Sequence, residues 1–431
     1  MWNGSPLSWA GEVSMAPGKL NKHVVSNGIF MLGLNYEFSL QHQLYFEGAF
    51  KNFNKIKEDT LTGEMTPISN NGWGFREFFY KFQGKTTVLT VGLQSSTLGD
   101  LFLIDERVLG ASLNRDFGKL SINARLGTVQ KDFARMGDFC GTRKLLYMVK
   151  GSKAGDRLGE TNLFGTVVSW NFNRQIASSN VNEFGGEDMS DDEFDEDLSD
   201  TGSTGNEFRG EALSGDDTND NELGDDEFAD DEFSDTEFSE FAPGKSFVDN
   251  AGLVLYSEFG PLYPSTKYFA GGIVQFLLPW GFNLGGEIIG QFDYQNNALM
   301  YFVELQRNFN WQSLGNTSVE LGLITYTAID ANAIPNPSFS NMYIGEILRL
   351  DARDAPVFYV SFKHHFSYKV LRYFKIAYIK QISRHKFNEI DFELRIKLFN
   401  HLQIAPMFSC MDSAPLNEKI TMLRAEFRLT F

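Results

Sequence analysis

The sequence predicts an all-β protein, a transmembrane antiparallel up-and-down β-barrel of about eighteen strands, and three observations lead to this prediction. Apolar and polar residues alternate with period two over segments of about ten residues, the length that a tilted strand needs to cross a bilayer. The 431 residues include 40 Gly, 41 Phe, 15 Tyr and 6 Trp, a composition that suits strands separated by turns. No run of 18 apolar residues occurs, which excludes a transmembrane helix.

The predicted strands fall into eight before residue 182 and ten after residue 241. The first eight are 7–15, 28–40, 43–53, 72–82, 86–95, 105–115, 119–129 and 161–172. The other ten are 247–259, 267–278, 282–294, 298–308, 316–328, 356–366, 370–380, 388–398, 401–410 and 419–431. An even number allows both ends of the chain to lie on the periplasmic side, together with the short turns.

The longer connections, 54–71, 130–160 and 329–355, are then expected outside the cell. An alternative with twenty strands adds 144–150 and 341–351. It keeps the even number but moves the segment 182–241 from the periplasmic to the extracellular side.

The last predicted strand, TMLRAEFRLTF, sets its apolar residues on one face and its charged residues on the other. It ends on Phe431, with Phe427 and Leu429 on the same apolar face. This ending resembles the signal by which the barrel-assembly machinery of Gram-negative outer membranes recognises its clients. Residues 75–126, with a hairpin ending in Gly-Leu-Gln and a strand opened by Asp-Glu-Arg, are similar to outer-membrane porins of the alginate-export type. The resemblance implies an outer-membrane location, with the membrane lipid and the assembly machinery as partners.

If the apolar face meets lipid, the opposite face of each strand lines the lumen. Its charged residues either orient polar solutes or simply pair across neighbouring strands. Acidic and basic groups are nearly balanced there, so strong ion selectivity is not expected. The pore-lining candidates are Glu37, Glu47, Lys51, Arg125, Glu287, Asp293, Glu304, Glu320, Lys363, Lys375, Asp391, Glu393, Arg395, Lys397, Arg424, Glu426 and Arg428.

The connection 329–355 is the best candidate for a constriction or plug, and a plain surface loop is the alternative. Its charged residues able to fold inward are Glu346, Arg349, Asp351, Arg353 and Asp354.

An acidic segment at 182–241 divides the predicted barrel into a first part, 1–181, and a second part, 242–431. The segment holds 25 acidic residues and one basic residue, Arg209, so its charge is −24 and the rest of the chain carries +6 of the total of −18. This composition cannot bury enough apolar area to offset the entropy of ordering, so the segment is predicted to be disordered.

Glu-Phe pairs recur along this acidic segment, and they allow three interpretations. The segment is a solvated linker, a docking segment for a basic protein partner, or a weak and diffuse binder of divalent cations. In the docking interpretation the apolar anchors are Phe228, Phe233, Phe238 and Phe241.

Motifs of common enzymes do not occur in the sequence. It has no Gly-x-Ser-x-Gly, no His-Glu-x-x-His and no phosphate-binding loop, so neither an enzyme nor a cofactor is predicted. Cys140 and Cys410 lack the spacing of a zinc site, and no metal site is predicted. Nucleic acid is not an expected partner, because the acidic segment repels phosphate.

Two functions from different classes are left. The first is an outer-membrane channel for the passive passage or export of small polar or saccharide solutes. The second is a closed surface scaffold or adhesion barrel whose acidic segment docks a protein partner.

Overall fold

Eighteen long antiparallel strands form one sheet that closes into a barrel. The computed structural model describes residues 6–21, 23–58, 65–98, 103–130, 157–173, 246–294, 296–331, 333–338, 343–344, 350–351, 356–368, 370–382, 387–399, 401–413 and 418–431. The first eight strands are β1 (Leu7–Leu20), β2 (His23–Ser39), β3 (His42–Glu58), β4 (Met65–Gln83), β5 (Thr87–Leu98), β6 (Ile104–Phe117), β7 (Leu120–Thr128) and β8 (Asn162–Asn171).

The second half of the chain adds ten barrel strands and one small hairpin. Its strands are β9 (Val248–Phe259), β10 (Lys267–Leu278), β11 (Phe282–Phe292), β12 (Ala298–Asn310), β13 (Gly315–Ala328), β14 (Tyr343–Ile344), β15 (Leu350–Asp351), β16 (Val357–Phe366), β17 (Leu371–Gln381), β18 (Phe387–Phe399), β19 (Leu402–Ser413) and β20 (Glu418–Thr430). Among the described residues, β14 and β15 pair with each other and with no strand of the barrel.

The ladder closes because β1 pairs with β2 on one side and with β20 on the other. β8 pairs with β9, so strands from both predicted barrel parts belong to the same sheet. The prediction of an eighteen-stranded antiparallel barrel is confirmed. No helix in the described ranges is long and apolar enough to cross a membrane.

The twenty-strand alternative is wrong. β7 pairs directly with β8, and β13 pairs directly with β16, so neither neighbouring pair has room for another strand. Residues 343–344 and 350–351 form the hairpin of β14 and β15, which is separate from the barrel, and 144–150 lie outside the described residues. The predicted bounds of the long connection 54–71 are also wrong, because the pairing of β3 with β4 extends as far as Glu58 and Met65. Backbone hydrogen bonds extend this hairpin beyond the part where side chains alternate clearly.

Burial in this barrel is inverted relative to a water-soluble protein. On β20, Arg424 and Glu426 are each 1% exposed, whereas Leu423 and Phe427 are 62% and 41% exposed. Charged side chains are almost never fully buried in soluble proteins unless they are paired. The period-two alternation of each strand therefore places an apolar surface outside and a charged one inside.

The connection from β8 to β9, whose sequence contains the acidic segment, starts and ends at the rim that carries the short turns. Asn173 joins the two described ends of this connection. The Asn173 side-chain amide donates to the Ser246 carbonyl (3.1 Å) and the Asp249 carboxylate (2.9 Å), and its Oδ1 accepts from the Ser246 N–H (2.6 Å). Residues 182–241, with the docking candidates, lie outside the described residues. The docking and cation-binding interpretations therefore stay predictions.

Candidate functional site in the barrel interior

The inner face of the barrel wall is the candidate functional site, and the structure places sixteen of the seventeen predicted pore-lining residues on strands. The buried ones are Lys51, Glu287, Asp391, Glu393, Arg424 and Glu426. The half-buried ones are Glu37, Glu47, Arg125, Glu304, Glu320, Lys363, Lys375, Arg395, Lys397 and Arg428. The register brings opposite charges side by side, as where Lys375 of β17 lies opposite Glu393 of β18.

Asp293 is the exception among these candidates. β11 ends at Phe292, so Asp293 lies in the turn that leads to β12. Its carboxylate accepts hydrogen bonds from the Ser265 hydroxyl and from the Tyr294 N–H, the latter at 2.7 Å. The Asp293 carboxylate therefore stabilises a turn at the rim. The alternation assigned this residue to the wall, but the strand ends one residue earlier.

A buried ionic network on β3, β4 and β6 includes charged residues that the alternation did not identify. Arg76 Nη1 lies 2.6 Å from Glu47 Oε1, and Tyr45 donates to Glu47 Oε2 at 2.8 Å. Arg107 Nη2 lies 3.4 Å from Glu77 Oε1. The register shifts at this point of the β3–β4 pair, so that Glu47 pairs with Glu77 while the next residue of β3 pairs with Phe75.

The extra residue of this β-bulge is Arg76, and a bulge lets two successive side chains point to one side of the sheet. The sequence signal was the pair Arg76-Glu77 between the outward-facing Phe75 and Phe78, which breaks period two. A strict alternation assigns one of the two charged residues to the outer face and so misses the network.

A second group of charges lies at the closing seam and on β18. Arg428 Nη2 of β20 contacts Glu12 Oε2 of β1 at 2.7 Å, and the Ser14 hydroxyl donates to Glu12 Oε1 at 2.6 Å. Arg395 Nη2 lies 3.3 Å from Glu393 Oε1 on the same strand. The expected cross-strand pairing therefore occurs for Arg428, but its partner is on the first strand, which carries no clear charge pattern.

Part of the connection after β13 folds onto the inner face of β9, β10 and β11. The Ser338 N–H donates to Glu258 Oε1 at 2.7 Å. Lys267 Nζ donates to the Asn336 carbonyl at 2.7 Å and lies 3.4 Å from Glu258 Oε2. The Gln291 side-chain oxygen accepts from the Asn336 N–H at 2.7 Å. Residues 333–338 are thus held against the lumen wall at the rim with the long connections.

Tyr263, in the turn between β9 and β10, completes this attachment. Its hydroxyl donates to Ser338 Oγ at 3.0 Å. Burial, reinforced by the charge of Glu258, raises the pKa of the Tyr263 hydroxyl, so it stays a hydrogen-bond donor at neutral pH. The five constriction candidates of 329–355 are not tested, because the side chains of Glu346, Arg349, Asp351, Arg353 and Asp354 lie outside the described residues.

An apolar belt also lines the interior, near the long-connection end of the strands. Its members on the second half of the barrel include Ile289, Met300, Ile324, Val357, Ile379, Met411 and Ile420, all buried in one cluster. Register confirms that they share the inner face, since Ile289 pairs with Met300 and Ile324 with Val357. The sequence analysis assigned charged residues to the lumen, and the structure adds this apolar belt to them. Within the described residues no group of three His, Cys, Asp or Glu could hold a metal ion.

Comparison with known proteins supports the architecture. No protein-family model matches the sequence, and no curated protein sequence matches it. The chain is similar in structure to OccK5 (OpdH) of Pseudomonas aeruginosa, with a TM-score of 0.51, 10% identity, and coverage of 99% of this chain and 98% of that one. It is also similar to OccK11 (OpdR) of the same organism, with a TM-score of 0.51, 10% identity, and coverage of 99% and 95%. The barrel has the fold of the Occ/OprD outer-membrane porins. The porin-like fold expected from Phe431 and residues 75–126 is thereby confirmed.

Proposed function

We propose that this protein is a channel in the outer membrane of a Gram-negative bacterium, through which small polar or saccharide solutes pass or are exported passively. The observation that carries the proposal is the inverted burial. Leu423, Phe427 and their equivalents form an apolar outer surface, while Arg424 and Glu426 are enclosed. A bilayer requires such an outer surface, and strands cross it in a closed barrel whose backbone groups are satisfied within the protein.

The interior supports polar solutes as the cargo. Carboxylates and guanidinium groups occur together on the wall, as in the pairs Glu47–Arg76 and Glu12–Arg428. Opposite charges on one wall create a transverse field that orients a dipolar solute without selecting strongly for one sign of ion. Solute hydroxyl groups find both donors and acceptors on such a wall, which fits saccharides.

Orientation in the membrane follows from the turns. Single-chain bacterial barrels have short periplasmic turns and longer extracellular loops. The rim with the short turns, on which Asn173 and Ser246 lie, is then periplasmic. In this orientation the acidic segment belongs to the periplasm, and the 333–338 segment belongs to the extracellular mouth.

Single-channel recording of the purified protein in a planar bilayer tests the proposal. Stepwise conductance is expected from the unmodified protein. The double variant Glu258→Gln/Lys267→Met removes the ionic contacts that hold residues 336–338, so a larger step is expected. Lys380→Met removes an exposed lysine near the same rim and serves as the control, with no change in step size. A folded, heat-modifiable protein that gives no conductance refutes the channel.

The inward fold of residues 333–338 favours a second candidate, a closed scaffold or adhesion barrel that docks a basic protein partner through its acidic segment. Its test uses the four phenylalanines of the docking interpretation. Replacing Phe228, Phe233, Phe238 and Phe241 by Ser, with every carboxylate kept, should abolish binding of a partner isolated with the native segment. Equal binding by both versions, or an open conducting lumen, contradicts the scaffold.

A further inference from the structure

The barrel wall is least continuous between β4 and β5. β4 pairs with β3 from Met65 to Phe82, and β5 pairs with β6 from Thr87 to Leu98. Between β4 and β5 the ladder has six residue pairs, from Gln83–Val88 to Phe78–Leu93, and no other barrel seam has so few among the described residues. Residues 73–77 and 94–98 are all described, yet they are not paired with one another.

This interruption lies at membrane depth. Phe78 is about five residues above the short turn, a height of roughly 13 Å for a strand with a rise of about 3.3 Å per residue and a tilt of about 40°. The hydrocarbon core is about 30 Å thick. The unpaired part of the seam therefore begins within the proposed membrane-spanning zone and extends towards the extracellular mouth.

The bulge at Arg76 is the first cause of the interruption. It turns Arg76 and Glu77 together towards the interior and breaks the regular backbone of β4. The Glu77 carboxylate accepts a hydrogen bond from the Ser95 backbone N–H of β5. A side chain thus satisfies a backbone donor that a continuous ladder would pair with a carbonyl of β4.

A row of three glycines is the second cause. Gly92 of β5 pairs with Gly110 of β6, and Gly110 pairs with Gly127 of β7. Gly92 has φ +135°, and a Cβ on Gly110 would lie 1.9 Å from the Leu126 carbonyl oxygen, so the backbones approach more closely than other residues allow. Glycines in register let a sheet bend sharply.

Above the glycine row, β5 leans into the barrel. Leu98, the last residue of β5, lies close to Gly165 of β8. A Cβ built on Gly165 would be 2.3 Å from Leu98 Cδ2. β8 is three strands away along the wall. The inward lean explains why this part of β5 has left β4.

The seam has exposed aromatic residues on its outer surface and a buried ion pair between its strands. Trp73 of β4 is 77% exposed on the outer surface, and Phe75 is exposed beside it. Arg107 lies on the same outward face of β6 as the exposed Phe117. Arg107 is nevertheless only 3% exposed, because its side chain lies between β4 and β5 and contacts Glu77. The neighbouring inner residues Ile104 and Val108 are apolar and buried.

We propose that this seam is a lateral portal between the lumen and the membrane for solutes with a polar head and a hydrocarbon tail, and that the Glu77–Arg107 ion pair closes it. The ion pair suits a polar head, and the exposed apolar edge formed by Trp73 and Phe75 suits a tail. A side-chain pair opens without breaking a backbone ladder. The proposal rests on the membrane location proposed above.

The test compares uptake of decanoate, an anion with a tail, with uptake of gluconate, a polar anion without one, in a porin-deficient Gram-negative host. Cysteines at Trp73 and Thr97, in a background with Cys140 and Cys410 replaced by Ser, are joined across the seam by a flexible bis-maleimide whose linker contains a reducible disulfide. The control disulfide bridge is the same reagent between cysteines at Tyr80 and Val91, which already pair below the interruption. Thr97→Trp fills the seam with a ring and needs no crosslink.

Locking the seam should lower decanoate uptake at least fivefold, with recovery on reduction and no change for gluconate. Thr97→Trp should have the same selective effect, and the control disulfide should affect neither solute. Unchanged decanoate uptake in both modified proteins, or an equal loss of both solutes, overturns the portal. Failure of the channel itself gives a different result, because gluconate uptake and single-channel conductance are then absent even without a lock.

Discussion

Deletion of the acidic segment should leave the barrel intact and slightly more stable. The 72 residues from 174 to 245 connect two strands that are already joined at their ends by Asn173. Removing 182–241 shortens this connection to 12 residues and removes a charge of −24. Neither change touches a strand, so the eighteen-strand ladder keeps its pairing.

The magnitude follows from the entropy of closing a loop, which grows as (3/2)RT ln n for n residues. A sixfold shortening lowers that cost by about 1.6 kcal/mol, which is the upper limit of the expected gain in the free energy of unfolding. Asn173→Ala removes three hydrogen bonds of 2.6–3.1 Å at the attachment points. It should lower the free energy of unfolding by about 1–3 kcal/mol with or without the segment.

Urea unfolding in detergent micelles, followed by tryptophan fluorescence, measures both effects. Gel mobility before and after boiling reports whether the closed barrel has formed. A Gly/Ser segment of equal length in place of 182–241 is the matched control, and its stability should equal that of the unmodified protein. A deletion that lowers the free energy of unfolding by more than about 1 kcal/mol would show that the segment packs against the barrel, and the reasoning would fail.

Three further predictions concern the wall itself. Ile390→Arg places a charge on the outer surface and should cost about 2–4 kcal/mol at mid-bilayer, whereas Asp391→Asn inside should change conductance and leave urea unfolding nearly unchanged. Equal effects would contradict this assignment of the two faces. Gly110→Ala, which brings a methyl group 1.9 Å from a β7 carbonyl, should cost about 1–3 kcal/mol, while Gly285→Ala, with nothing within 4 Å, should cost little in the same titration. Phe431→Ala should slow barrel assembly in a pulse-chase experiment and lower stability by about 1–2 kcal/mol, because the centroid of its ring lies 6.2 Å from that of Trp9 on β1 and 6.4 Å from that of Phe30 on β2; unchanged assembly would contradict this.

The strands could be predicted from the sequence, because the alternation within each strand shows which residues face outward and which face the interior. Ile390, Asp391, Phe392 and Glu393 identify both faces of β18 without reference to any neighbour. The strand number followed from counting such segments, and the structure confirms it.

The departures from regularity were not predictable in the same way, because each depends on contacts between distant residues. Arg76 enters the interior only because β3 and β4 pair with one extra residue. Ser338 and Glu258 are 80 positions apart in the sequence, and no local sequence pattern predicts the hydrogen bond between them. The inner apolar belt was not predicted, because one apolar residue on the polar face of each strand changes the alternation too little to be recognised.

The seam between β1 and β20 has a consequence for how the cylinder forms. Glu12 and Arg428, which meet at 2.7 Å, are 416 positions apart, and Asn21 and Thr421 are 400 apart. Contacts of such long range slow folding, because the chain must lose much freedom before they form. Until then, a growing sheet exposes the hydrogen-bonding edge of β1, which is a template for any strand that arrives. The yield of correctly closed cylinders over aggregates therefore depends on whether β20 of the same chain reaches that edge before a foreign strand does.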